Sequence, residues 1–291
     1  MLKTGKGPYA LRVSKYGQRL FVANFASEEV GILDLADPKR KTQTFYAGPR
    51  PIDLTLNASE DQLYVANFKF GLITVISLRD LKPIDNIKVG GEPVAITTSP
   101  RGDRMFVANW GHTRFGQVDI IDAASHQILK SVKVGSRPLA LAVPANGEVV
   151  YVANAGSNMI TRVELREYQT HELPCIENPT GLALSRDDKW LYVAGGGSQV
   201  AMMDVKSEKE VRRANVGRGP FGLVVHPKGW VATANKEDGT VTLLSDDLSH
   251  IVSIRVGKSP HYPIFSQDGN SLYVSLEKEN KIAVVGLHEK P

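Results

Sequence analysis

Short apolar runs rich in valine, isoleucine and aromatic residues alternate with clusters of glycine, proline, serine and aspartate along the whole chain. In the stretch "KPIDNIKVGGEPVAITTSPRGDRMFVANWGHTRFGQVDIIDAASHQ", the runs "VAITT", "RMFVAN" and "QVDIID" have strand length and strand composition, and "SPRGD" is a turn between the first two. With "IDNIKVG" the stretch holds four short strands. No segment sustains the 3.6-residue period over ten or more positions, so the pattern predicts an all-β chain.

The same pattern recurs. Prolines stand at Pro8, Pro51, Pro93, Pro138, Pro179, Pro220 and Pro260, separated by 43, 42, 45, 41, 41 and 40 residues. Each is followed 15 or 16 residues later by the end of an apolar run, at Asn24, Asn67, Asn109, Asn154, Gly195, Asn235 and Leu276. A glycine precedes each proline by three positions except in "CIENP", where Ile176 takes its place. Seven units of about 40 residues with four strands each predict a seven-bladed β-propeller, in which small antiparallel sheets pack face to face around a channel. The prediction is a single domain over 1–291, with repeats starting near 5, 48, 90, 135, 176, 217 and 257. The last copy has three strands of its own, and Leu2 to Gly5 align with the fourth strands "NIKVG", "SVKVG" and "SIRVG". The N-terminal strand is therefore expected to complete the last blade and leave no free sheet edge there.

The run ends read "LFVAN", "LYVAN", "MFVAN", "VYVAN", "LYVAG", "VATAN" and "LYVSL". With the preceding proline, this motif resembles that of the YVTN-repeat propellers, and the resemblance covers all seven copies. It implies a binding module of the kind found among surface and periplasmic propellers, some of them implicated in nucleic-acid binding. Similar seven-bladed propellers include lactone hydrolases and lyases, and one binds a modified tetrapyrrole in nitrite reductases. No complete catalytic set from those enzymes matches here, and the haem reading lacks both a c-type motif and an axial pair. Most of the motif serves the fold: Tyr64, Tyr151, Tyr192 and Tyr273 are expected to pack between blades, and the asparagines to bridge turns through their side chains.

Function has to be sought where the repeats differ. In a propeller the loops entering the first strand of each blade and those leaving the second share one face. Around that face the inner loops carry Lys6, Arg50, Glu92, Arg137, Glu177, Arg218 and Lys258, and Tyr9, Asp53, Phe221, His261 and Tyr262 follow the prolines. The wider rim carries Phe25, Phe68, Phe70, Trp110, His112, Arg114, Phe115 and Lys236. The ligand-binding set expected from this face is Lys6, Arg50, Arg137, Arg218, Lys258, Phe68, Trp110, His112, Arg114 and Phe115, because basic groups interleaved with aromatics suit a partly planar anion. An anionic small molecule or single-stranded nucleic acid is the expected partner, with a protein partner as a further option. The third blade, with the longest spacing and "WGHTRFGQ", is the favoured contact loop.

Catalytic signatures for metalloproteases, nucleophile elbows, phosphate loops and kinases are missing. The weak catalytic candidates are His261 with Asp53, Glu92 and Glu177 as carboxylate companions. Neither a metal site nor a cofactor is expected, and the lone Cys175 excludes an internal disulfide. The formal net charge of +4 is a mild basic excess. The first residues lack the apolar core of a signal peptide and no 18-residue apolar run follows, so the chain as given is expected to be a soluble, cytoplasmic monomer, or periplasmic or extracellular if a leader has been removed.

Overall fold

The computed structural model describes residues 1–37, 39, 41–111 and 114–287. Seven four-stranded antiparallel sheets follow one another in chain order and form the seven blades. The innermost strands are Pro8–Val13, Pro51–Leu56, Glu92–Thr98, Pro138–Ala142, Gly181–Leu184, Pro220–Val225 and Pro260–Phe265. Each packs beside the innermost strand of the next blade, and the last packs beside the first, so the ring is closed. The only helix among the described residues is the short 3-10 turn Glu277–Glu279, and no helix there is long and apolar enough to cross a membrane.

Closure is made by the N-terminal strand. Leu2–Lys3 pairs antiparallel with Lys281–Gly286, Leu2 opposite Ile282 and Lys3 opposite Lys281. The sheet of blade 7 thus takes its outer strand from the other end of the chain.

The core lies between blades. Phe21, Ala23 and Ile32 of blade 1 pack with Leu54, Leu63, Val65 and Ile76 of blade 2. At the seam, Leu11, Leu20, Val22 and Leu33 pack with Tyr273 and Ile282 of blade 7. Each such fully buried side chain stabilises the fold by roughly 1.5–3 kcal/mol relative to exposure. Tyr64, Tyr151, Tyr192 and Tyr273 are all buried, as the repeat implied.

The repeat motif closes the face on which the site stands. Asn24, Asn67, Asn109, Asn154 and Asn235 are fully buried. Asn154 Nδ2 donates to Thr161 Oγ1 (2.9 Å) and Asn235 Nδ2 to Thr242 Oγ1 (2.8 Å), each on the third strand of its own blade. In four loops the glycine lies directly on the asparagine: a Cβ at Gly5, Gly48, Gly135 or Gly217 would come within 2.8 Å of it. Blade 5 makes the reciprocal exchange, a buried Ile176 in place of the glycine and Gly195 in place of the asparagine. A Cβ at Gly195 would come within 3.0 Å of the backbone of Glu177, Asn178 and Pro179, so this loop runs closer to the strand end than a side chain there allows, and Ile176 joins the core instead.

Candidate functional site

One backbone hydrogen bond, repeated around the ring, builds the mouth of the channel. The amide of the residue after the VAN position donates to the carbonyl of the residue before the proline: Phe25 to Gly7 (2.9 Å), Phe68 to Arg50 (3.0 Å), Ala155 to Arg137 (3.0 Å), Lys236 to Gly219 (2.9 Å) and Glu277 to Ser259 (3.1 Å). This bond sets two concentric rings of side chains. The inner ring, just after the prolines, is Tyr9, Ile52, Val94, Leu139, Thr180, Phe221 and His261. The outer ring, just after the VAN positions, is Phe25, Phe68, Trp110, Ala155, Gly196, Lys236 and Glu277. The mouth is therefore aromatic over blades 1 to 3, low over blades 4 and 5, and charged over blades 6 and 7.

The rings enclose a bowl of about 270 Å³ lined by Tyr9, Phe25, Ile52, Phe68, Val94, Trp110, Leu139, Phe221, Tyr262 and Glu277. Its aromatics touch in series. Trp110 meets Phe68 edge-on at 5.3 Å, Phe68 lies 6.4 Å from Phe25, and Phe25 lies 6.3 Å from Tyr9. The indole is pinned, since Trp110 Nε1 donates to the Pro138 carbonyl at 2.9 Å. Such edge and tilted contacts rigidify the wall beyond what area alone would give.

Two of the five basic residues expected here lie over that wall. The guanidinium of Arg50 is 5.7 Å from the Phe25 ring centroid, and that of Arg137 is 5.6 Å from Trp110. Both arginines have positive φ, 52° and 51°, at the position where blades 1 and 6 use Gly7 and Gly219 and blades 5 and 7 use Asn178 and Ser259, all with positive φ. A side chain in this left-handed conformation costs about 1–2 kcal/mol, a strain that glycine would relieve. The other three stand one position earlier and are turned outward. Arg218 Nε is bound to Asp238 Oδ1 at 2.8 Å, and Lys6 and Lys258 are exposed, their amides held by Ser27 Oγ and Glu279 Oε1. The sequence could not separate the two loop positions because both carry bases.

Arg114 and Phe115 are exposed and outside the bowl lining, with Lys133 Nζ 3.3 Å from the Phe115 centroid. His112 lies outside the described residues. Glu92 opens its strand opposite Trp110, and Glu177 is exposed, its carbonyl accepting the Gly196 amide. Asp53 is buried below the bowl in a channel cavity of about 150 Å³, where Tyr262 and Leu139 line both spaces. Its Oδ1 accepts from the Leu54 amide (2.8 Å) and Oδ2 from that of Ile96 (2.9 Å), with Arg12 Nη2 at 3.9 Å from Oδ1. Burial raises its pKa above the usual carboxylate range against the pull of Arg12. Asp53 thus joins the inner strands of blades 2 and 3.

His261 is 1% exposed, with Tyr9 at 4.1 Å and Phe221 at 4.9 Å between ring centroids. Among the described residues its hydrogen-bond partner is Glu277, Nε2 to Oε2 at 3.0 Å, rather than Asp53, Glu92 or Glu177, and Nδ1 has none. Burial pushes the imidazole below its ordinary range, so the ring is neutral at pH 7 and donates from Nε2. Glu277 Oε2 also accepts from Ser259 Oγ at 3.0 Å and meets Lys236 Nζ at 3.2 Å. These partners, His261 first, hold its carboxyl down to about 2. Burial, with the charges of Glu277 and Asp53, raises the Tyr9 phenol well above its usual value. Glu277 was not among the sequence candidates. Reading the residue after the VAN position in every copy, F, F, W, A, G, K and E, would have exposed it, but the degenerate "YVSL" of the last copy hides the register.

No group of three or more His, Cys, Asp or Glu side chains able to hold a metal occurs among the described residues. The fold and mouth thus define a seven-bladed β-propeller with an aromatic pocket at one end of its channel. Its chain trace is similar to that of a solved structure of Kuenenia stuttgartiensis hydrazine synthase, with a TM-score of 0.88 and 19% identity over 100% of this chain and 98% of that chain. At that identity the likeness is one of fold. The sequence matches no family model and no curated protein.

Proposed function

We propose that the channel mouth binds a small planar anion, whose flat body fills the aromatic bowl and whose negative group lies between Arg50 and Arg137. The observation that carries this reading is the pair of strained arginines. Each takes a left-handed conformation that blades 1 and 6 give to glycine, blade 5 to Asn178 and blade 7 to Ser259, each is laid over a bowl aromatic, and neither makes an ion pair with a carboxylate among the described residues. An arginine over an aromatic face offers planar donors to a carboxylate or phosphate.

A single ring or fused pair fits better than a nucleic-acid strand. Arg218 is neutralised by Asp238 and Lys236 by Glu277, so the bowl offers two free cations over one pocket instead of a basic track. The test is calorimetric titration with 4-methylbenzoate, indole-3-carboxylate, a mononucleotide and a short oligonucleotide, at low and high salt. The parent should bind the aromatic carboxylates, and the oligonucleotide no more tightly than the mononucleotide. Arg50→Gly with Arg137→Gly should weaken carboxylate binding by a factor of about 10 or more with no fall in melting temperature. Carboxylate binding unchanged in that variant, or none by the parent at low salt, overturns the reading.

A further inference from the structure

We infer that the ligand carries, at the end opposite its anionic group, a nitrogen donor that is read by Glu277 Oε1. The inference rests on the planar-anion reading and narrows it from an aromatic anion to an aromatic zwitterion or amine-bearing acid.

The polarity of the bowl is the first argument. In a seven-fold ring blade 7 stands across the channel from blades 3 and 4, which carry Trp110 and Arg137, while Arg50 stands on blade 2. Glu277 faces into the same bowl from blade 7. A flat molecule lying across the aromatic floor, with its anion toward Arg137 over Trp110 and flanked from the side by Arg50 over Phe25, presents its far edge to Glu277.

The two oxygens of Glu277 supply the second argument. Ser259 Oγ, His261 Nε2 and Lys236 Nζ all converge on Oε2, at 3.0, 3.0 and 3.2 Å. Oε1 has no hydrogen-bond partner among the described residues, although it belongs to a side chain lining the cavity. The carboxylate is thus fixed by one oxygen and offers the other, an arrangement that orients an acceptor before a ligand arrives. Lys236 offsets the charge at this corner, so recognition depends on a hydrogen bond in a fixed direction more than on net charge. Unpaired, Oε1 would oppose a ligand edge that is apolar or an acceptor.

The experiment compares three probes built on one ring: 4-(aminomethyl)benzoate, which has both ends; 4-methylbenzoate, which has the anion alone; and benzylamine, which has the cation alone. The parent should bind the first at least about tenfold more tightly than the second, and benzylamine least. Glu277→Gln should erase this preference by weakening 4-(aminomethyl)benzoate about tenfold more than 4-methylbenzoate. The three donors would hold the amide oxygen where Oε2 was and turn the amide NH₂ toward the bowl, a donor facing a donor. Equal or weaker binding of 4-(aminomethyl)benzoate than of 4-methylbenzoate by the parent overturns the inference while leaving the planar-anion reading standing, and needs no variant. Equal weakening of both probes by Glu277→Gln overturns it too, since the residue would then only shape the pocket. Failure of both benzoates to bind the parent overturns both readings, and a benzylamine preference overturns the assignment of the anion to Arg50 and Arg137.

Discussion

Leu2 lies directly opposite Ile282 in an antiparallel pair, so residues near the two ends of the described chain share one sheet. The contact extends past the strand, because the Gly7 amide donates to Asn280 Oδ1 at 2.9 Å. Removing residues 1 to 6 strips blade 7 of its outer strand and uncovers the edge of Lys281–Gly286. The truncated chain should melt several degrees lower and self-associate, as checked by calorimetry and light scattering. An unchanged melt would show that the seam contributes little.

The buried asparagines are structural keystones. Asn154 Nδ2 donates to the Val152 and Met159 carbonyls as well as to Thr161 Oγ1. Asn154→Ala removes this buried donor, leaves Thr161 Oγ1 with the Gly135 amide at 3.4 Å, opens a void under the loop and should cost about 2–3 kcal/mol in urea unfolding. Binding of aromatic carboxylates should weaken as well, because Asn154 packs against Gly135 of the loop that carries Arg137, and blade 4 gives Leu139 to the bowl.

Asp53 tests whether a buried charge is held for structure. Asp53→Ala leaves the amides of Leu54 and Ile96 without their acceptor and Arg12 without its carboxylate. A loss of roughly 3 kcal/mol is expected. Asp53→Asn keeps one acceptor and removes the desolvated charge, so its unfolding curve at pH 7 should lie within about 1 kcal/mol of the parent. Comparable losses in the two variants would show that the charge itself is required.

Glu277 should give the melting temperature a defined pH dependence. Its carboxyl is depressed to about 2 in the folded protein, against about 4.3 in an unfolded chain. Stabilisation from this depression is present above the unfolded value and lost as pH falls toward the folded one. The gap in melting temperature between parent and Glu277→Gln should be flat above about pH 5.5 and close progressively below about pH 4.3. His261 destabilises both proteins in acid, since a buried imidazole with a lowered pKa must charge there. A gap that widened in acid would contradict the Oε2 assignment.

The sequence by itself determined the ring: seven copies, four strands in each, the seam closed by Leu2–Lys3, and the face on which proline and asparagine loops meet. These are consequences of alternation, turn residues and a fixed period, all local within about one repeat, and each blade states them again. The tertiary structure decided which unlike residues act together. Arg50 and Arg218 look alike in a loop, yet one lies over Phe25 and the other is bound to Asp238, because adjacent positions of one turn face opposite ways. Tyr9 meets His261, and Ser275 Oγ donates to the Tyr9 carbonyl 266 positions away, only because the ring closes. Glu277 becomes the polar corner of an aromatic bowl for the same reason. Its partners come from blades 6 and 7 and the wall it faces from blades 1 to 3, and no pattern of period 2 or 40 records which side chains converge on a channel axis.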